Sequence, residues 1–268
     1  MPTSARSSGT AVIIGASGAV GKPLLTTLLS STSPYSTVYS FARRPHPSPP
    51  TSASNIAFKE VIVNFDKLHN GDESEVAKLS SISSEVNAVF ITMGTTRAAA
   101  GSMAEFEKID RGYVLSCAKA LLDPSQSDAT LVYCSSGGSS SSSWFPYLKS
   151  KGRTEEGLAA LYKNTIIFHP GFLQNAHRSQ TRLLEKMFEP AMNLASKFTD
   201  SVAAPVESVA KAMVQAAKLG VQSLLAKSLA QQPPSSFNTQ GASTNDTTVI
   251  VENQAVLKLA QEHDASRG

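Results

Sequence analysis

The feature that most constrains this chain is a glycine series placed between a buried strand and a helix. Ala11-Val12-Ile13-Ile14 is an unbroken apolar run, and Gly15-Ala16-Ser17-Gly18-Ala19-Val20-Gly21 follows it directly. Leu24-Leu25 and Leu28-Leu29 then recur at helical spacing, with Pro23 in the first turn, where a missing N–H costs little. Glycines at 15, 18 and 21 let the backbone turn tightly and leave room for a bulky phosphate group. The helix start adds free N–H groups and the positive end of a dipole. The spacing is one residue longer than the common dinucleotide fingerprint. Strand, glycine turn and helix near the start of the chain therefore predict a pyrophosphate cradle, against the plainer alternative of a structural βα turn.

The rest of the chain fits that beginning. Apolar runs at 38–42, 59–64, 87–93, 130–134 and 165–168 read as further strands. Helical patterns occupy 103–122 and 145–162. Strands without polar alternation, separated by helices, predict a parallel sheet covered on both faces, an α/β doubly wound fold with the first strand central. The chain reads as a single domain over 1–268: a flexible N-terminus at 1–10, a core over 11–171 and a C-terminal, largely helical extension over 172–268. Helices are expected at 178–197, 206–219 and 254–262, with a late strand at 249–251. The Ser/Gln/Pro-rich stretch 231–245 is expected to be a mobile loop. The extension would cap the substrate side of the cleft.

Composition narrows the function classes. Hydrophobic residues make up 41% of 268, enough for a sizeable core. A net charge of +3, with no basic block beyond Arg43-Arg44, argues against nucleic acid as a partner. Cys117 and Cys134 lack metal spacing and read as small buried hydrophobes, and His69 and His177 have no ligand partners, so no metal site is expected. Met1–Thr10 has no apolar core, so neither a secretory signal nor a transit peptide is expected there. No apolar run is long enough to span a bilayer.

Two further constellations carry chemistry. The second strand ends in Arg43-Arg44, where an acid would accept from a ribose 2′-hydroxyl and favour NAD. Two guanidinium forks suit a 2′-phosphate instead, which points to NADP(H) over NAD(H). The alternative is a solvated basic pair before a loop. Tyr147 and Lys151 lie four apart on a predicted helix and share one face. A cation beside a phenol favours the phenolate and equips Tyr147 to give a proton to a carbonyl under reduction. Ser136, at the end of the fifth strand, would hold the carbonyl oxygen, although it also sits in a Ser-rich stretch where Ser135 is its neighbour. His169 is expected to be structural, bonded to nearby backbone. Trp144-Phe145 reads either as a pocket wall or as a core anchor for the helix start.

These residues together resemble the short-chain dehydrogenase/reductase superfamily. The chain looks most like its atypical branch, the Tat-interacting-protein oxidoreductase family and its fungal mitochondrial-proteome relatives. The resemblance spans about 11–220 and rests on 15–21, Phe41-Ala-Arg-Arg44, Val63-Asn-Phe-Asp-Lys-Leu68 and Met93-Gly-Thr-Thr-Arg97. It continues through Ile109-Asp-Arg-Gly-Tyr-Val-Leu115, Cys134-Ser-Ser136, Tyr147-Leu-Lys-Ser-Lys151 and His169-Pro-Gly171. It implies that Gly15, Ser17, Gly18, Ala19 and Val20 bind the pyrophosphate, Arg43 and Arg44 the 2′-phosphate, and Asp66 the adenine. It further implies that Gly94 and Thr95 line the ribose side, that Lys151 bonds the nicotinamide ribose, and that Pro170 and Gly171 frame the carboxamide. The implied activity is NADPH-dependent reduction of a small carbonyl-type substrate. The implied location is cytosolic, peripheral on the outer mitochondrial membrane, with a membrane or protein partner. Asp110 stands where many catalytic members have Asn, and His169 where Arg is common. Both departures bear on turnover more than on cofactor binding, and they keep open a second class, an NADPH-binding regulatory or scaffold protein.

Overall fold

The computed structural model describes residues 9–47, 51–123, 128–174, 203–239 and 248–266. A seven-stranded, wholly parallel sheet runs through it in the order β3-β2-β1-β4-β5-β6-β9. The strands are β1 (Gly9–Ile14), β2 (Tyr35–Ala42), β3 (Ala57–Ile62), β4 (Val86–Ile91), β5 (Thr130–Cys134), β6 (Asn164–His169) and β9 (Thr248–Glu252). A short pair, β7 (Phe172–Gln174) and β8 (Ala203–Pro205), lies apart from it. The order reverses between β1 and β4, so a crevice opens at their carboxyl ends, where ligands of such sheets bind. This is a doubly wound fold of the expected class.

Continuous apolar strands are what this layering needs. Ala11 and Ile13 point to one face, and Val12 and Ile14 to the other, and both sets are fully buried. The first face packs against α1 (Gly21–Leu28) and α8 (Val206–Ala226), with α9 (Asn253–Ala265) laid on α8. The second face is covered by α2 (Phe65–His69), α3 (Glu73–Ser80), α6 (Val114–Ala120) and α7 (Pro146–Leu161). The described C-terminal part belongs to the fold itself: β9 completes the sheet and α8 packs on α1.

Several boundaries differ from expectation. The helix expected over 103–122 is three pieces, α5 (Met103–Glu107), a π-helical turn (Lys108–Tyr113) and α6, after a single turn α4 (Arg97–Ala100). Asp110 and Tyr113 are the buried residues of that widened turn. The helix expected over 206–219 does end there: Gly220 leaves helical geometry at φ 74°, and a short helical stretch follows. The expected mobile loop is pinned at its start, since Gln231 and Ile250 exchange two backbone hydrogen bonds (2.9 and 2.8 Å). The helix expected at 178–197 lies outside the described residues, as does His177. Among the described residues no helix is long and apolar enough to cross a membrane.

Candidate dinucleotide and catalytic site

The glycine turn is built as its spacing requires. Gly15 holds φ 95°, and a Cβ there would stand 2.5 Å from the Met93 nitrogen. A Cβ on Gly21 would stand 2.0 Å from the Gly15 carbonyl oxygen, so only glycine lets α1 start this close to β1. Gly18 N–H donates to Gly15 O (3.0 Å), closing the turn. No side chain caps α1; Lys22 N–H donates to Gly18 O (3.0 Å) and Leu24 N–H to Val20 O (3.0 Å), so any backbone N–H offered to a ligand comes from the turn before the helix, where Gly15, Gly18 and Ala19 are partly exposed, Ser17 is exposed and Val20 buried. The clashes at Gly15 and Gly21 are with backbone, so these glycines let β1, α1 and the segment after β4 pack closely, and the turn's outer side, at exposed Ser17 and partly exposed Gly18 and Ala19, fits a pyrophosphate.

Arg43 and Arg44 are both exposed just past β2. The structure separates them. Arg43 lines a groove of about 550 Å³ at the carboxyl ends of β2 and β3, together with Asp66, Lys108 and Tyr113. Arg44 does not line it. Asp66 accepts from the Tyr113 hydroxyl and pairs with Lys108 (3.1 Å), and these two contacts hold its carboxyl below the ordinary range. Gly94 and Thr95 follow β4 at the crevice. Pro170 and Gly171 follow β6, where Gly137 N–H donates to Pro170 O (3.2 Å) and Gly171 N–H to Asn253 Oδ1 (2.8 Å).

Tyr147 and Lys151 share a face of α7, as the spacing predicts, yet Lys151 reaches inward. Its side chain is 4% exposed and its ammonium lies 3.0 Å from both the Tyr133 hydroxyl and Asp110 Oδ2, and Asp110 is fully buried. The Asp110 contact is one of charge, off the hydrogen-bond direction. Thr95 N–H donates to Asp110 Oδ1 (3.1 Å), and a Cβ on Gly94 would crowd that oxygen at 3.0 Å. Burial works against the ammonium, but Asp110, Tyr133 and Tyr147 outweigh it and hold Lys151 well above the ordinary lysine range. Burial pushes the Tyr133 phenol up in turn. Tyr147 is half-buried against Phe106 (ring centroids 5.6 Å apart), and its hydroxyl bonds no described residue.

The two serines are also distinguished. Ser135 is buried and donates to Glu155 Oε1, while Ser136 is partly exposed and only grazes Gly137 O at 3.5 Å. The expectation that His169 bonds nearby backbone is corrected: among the described residues it bridges two side chains, Nε2 to Glu155 (3.0 Å) and Nδ1 to Glu252 (3.4 Å). Trp144 and Phe145 anchor nothing in the core; they are 98% and 69% exposed. Sequence reasoning missed Tyr133, Glu155 and Glu252. Only Glu155 left a signal, since it extends the Tyr147–Lys151 spacing by one more turn.

No family model matches the chain. Among solved structures, it is similar to a variant of actinorhodin polyketide ketoreductase with NADPH (TM-score 0.58, 12% identity, covering 95% of this chain and 99% of that one). It is also similar to the Bordetella bronchiseptica enzyme WbmF in complex with NAD+ (TM-score 0.53, 12% identity, 96% and 78%). At that identity the likeness shows a fold of the short-chain dehydrogenase type. In sequence, it is 34% identical over 218 residues to Protein FMP52, mitochondrial, of Debaryomyces hansenii, covering 77% of this chain and 87% of the relative. The protein of the same name from Meyerozyma guilliermondii is 31% identical over 263 residues, covering 95% and 97%. The chain thus belongs to the FMP52 family of fungal proteins named as mitochondrial.

Proposed function

We propose that this protein binds NADP(H) at the glycine cradle and reduces a carbonyl-type substrate, with Tyr147 as proton donor. The observation that carries the reading is the convergence, at the carboxyl ends of one parallel sheet, of an uncapped glycine turn and the Tyr147–Lys151 helix face. NADPH, when bound, supplies a hydride. Gly15 to Val20 offer backbone N–H groups to the pyrophosphate, Arg43 meets the 2′-phosphate, and Asp66 lies in the same groove for the adenine. Gly94, Thr95, Pro170 and Gly171 line the nicotinamide side. Ser136 donates a hydrogen bond to the substrate oxygen, and Tyr147 delivers the proton that oxygen needs as it becomes a hydroxyl. Lys151, kept as an ammonium, stabilises the tyrosinate left behind. Tyr147→Phe should abolish turnover with a panel of carbonyls and leave NADPH affinity within about twofold; unchanged turnover overturns the mechanism.

A second reading has its own observation. Lys151 is spent on Asp110 and Tyr133, and the Tyr147 hydroxyl bonds no described residue. A regulatory or scaffold protein that binds NADPH without turnover would tolerate both. Tight NADPH binding, no oxidation across the panel and cofactor-dependent partner capture would favour it.

The finer kinship with Tat-interacting-protein oxidoreductases rests on the shared motif set. Residence at the cytosolic face of the outer mitochondrial membrane rests on that kinship and on the mitochondrial names of the relatives. Fractionation with protease protection of intact mitochondria tests it.

A further inference from the structure

Trp144 and Phe145 take no part in the core or in the site described above. Trp144 is 98% exposed and Phe145 69%, and the Trp144 indole meets no partner among the described residues. Two side chains of this size leave roughly 300–400 Å² of surface in water, as much as the largest apolar patch on many monomers. A fixed frame holds them there. Ser140 N–H donates to Leu148 O (3.2 Å), Ser143 N–H to Ser140 O (3.0 Å) and Phe145 N–H to Ser143 Oγ (3.2 Å). The loop also folds so tightly on α7 that a Cβ on Gly152 would stand 2.2 Å from backbone atoms of Ser140 and Ser141. The aromatic pair thus projects from a braced turn between β5 and α7.

The chemistry around the pair selects what it can meet. From Ala129 to Leu148 the chain carries no charged residue. The first exposed charges beyond are cations on α7: Lys149, partly exposed, and Arg153, fully exposed one turn further on the same face. Of the acids bonded to the loop, Glu155 is buried on Ser135 and His169, and Glu156 accepts from Ser141 Oγ and Asn238 N–H. An uncharged tip enters a headgroup layer without stripping water from a charge, and the cations beside it suit anionic headgroups. Indole is matched to that depth, with an apolar ring and an N–H that still finds polar atoms. A protein partner would need a pocket for a side chain that stands almost wholly clear of its own surface; a fluid interface needs none.

We infer that Trp144 and Phe145 form a lipid-docking tip, which inserts into the interface of an anionic bilayer with Lys149 and Arg153 at the headgroups. The inference deepens the reading of residence at a mitochondrial membrane and rests on it only for which membrane is met. It requires no turnover and no cofactor.

Trp144 is the single tryptophan of the chain, so its emission reports the tip alone. The full chain is mixed with phosphatidylcholine vesicles, with and without about one-third phosphatidylserine. Co-sedimentation, emission wavelength and quenching by lipids brominated on the acyl chain are read. On the anionic vesicles the protein should sediment, its emission should move to the blue, and the brominated lipid should quench it. Trp144→Ala and Phe145→Ala should each weaken partitioning at least about tenfold, and Arg153→Glu about fivefold or more on the anionic vesicles alone, with thermal stability unchanged in all three. No sedimentation with either vesicle, binding without blue shift or quenching, or partitioning indifferent to the aromatic substitutions would each overturn the assignment. So would a blue shift that grows with protein concentration in the absence of lipid, which makes a second copy the occupant. Protease protection of intact mitochondria reads residence separately: outer-membrane residence without vesicle binding removes the docking tip and keeps the location, and vesicle binding by a chain found elsewhere does the reverse.

Discussion

Asp110→Ala removes the counter-charge of a buried ammonium. Lys151 is 4% exposed, and among the described residues its only carboxylate contact is Asp110, 3.0 Å away. Removing one partner of such a pair costs about 3–5 kcal/mol, because the remaining charge is left uncompensated. The loss of the Thr95 N–H acceptor falls within that range. For a chain of this size the cost lowers Tm by roughly 6–20 °C. The discriminating variant is Asp110→Ala with Lys151→Met. If the cost is the stranded charge and not the lost packing, the double variant should regain at least about 1 kcal/mol over Asp110→Ala alone. Urea unfolding followed by circular dichroism reads both. A cost below about 1 kcal/mol for Asp110→Ala, or a double variant no more stable than the single, would refute the reasoning.

The His169 bridge has a pH signature. Its pKa is raised by Glu155 and Glu252 from 6.5 to about 9, so its contribution is fully present below about pH 6.5 and is lost as pH rises through about 9. That interval corresponds to ~3 kcal/mol, and His169→Gln should flatten the fall in urea midpoint across it. Two glycines of positive φ separate conformation from crowding. Gly71 has φ 80° and nothing within 4 Å, so Gly71→Ala should cost ~1–2 kcal/mol and leave dinucleotide binding unchanged. Gly15→Ala should cost more in thermal melts, because its Cβ meets the β4–α4 backbone, and should abolish that binding.

How much of this was legible in the sequence varied with how local the cause was. The strands could be read because parallel strands buried on both faces are unbroken apolar runs, and Thr130–Cys134 falls where the run does. The helices α2 and α3 could not, because they are short, polar and half-exposed, and their N-caps Asn64 and Asp72 read equally well as loop residues. The π-helical turn at 108–113 leaves no periodic trace, although it puts Asp110 in the site. Tyr147 and Lys151 were readable from helical spacing alone. Tyr133, which holds Lys151, sits inside an apolar strand, where an aromatic residue reads as core. The His169 bridge joins β6, α7 and β9, and no pattern in one segment announces a contact among three. Of Arg43 and Arg44, adjacency in sequence could not say that only the first lines the groove.

The most direct test of the account is a titration of the purified chain with NADPH and with NADH, repeated for Arg43→Ala and Arg44→Ala. The account predicts that NADPH binds at least tenfold tighter, ~1.4 kcal/mol, that Arg43→Ala erases the preference and that Arg44→Ala largely keeps it. Equal or tighter NADH binding would contradict the 2′-phosphate assignment. Failure of both nucleotides to bind would make the glycine turn purely structural, and the reductase reading would fall with it.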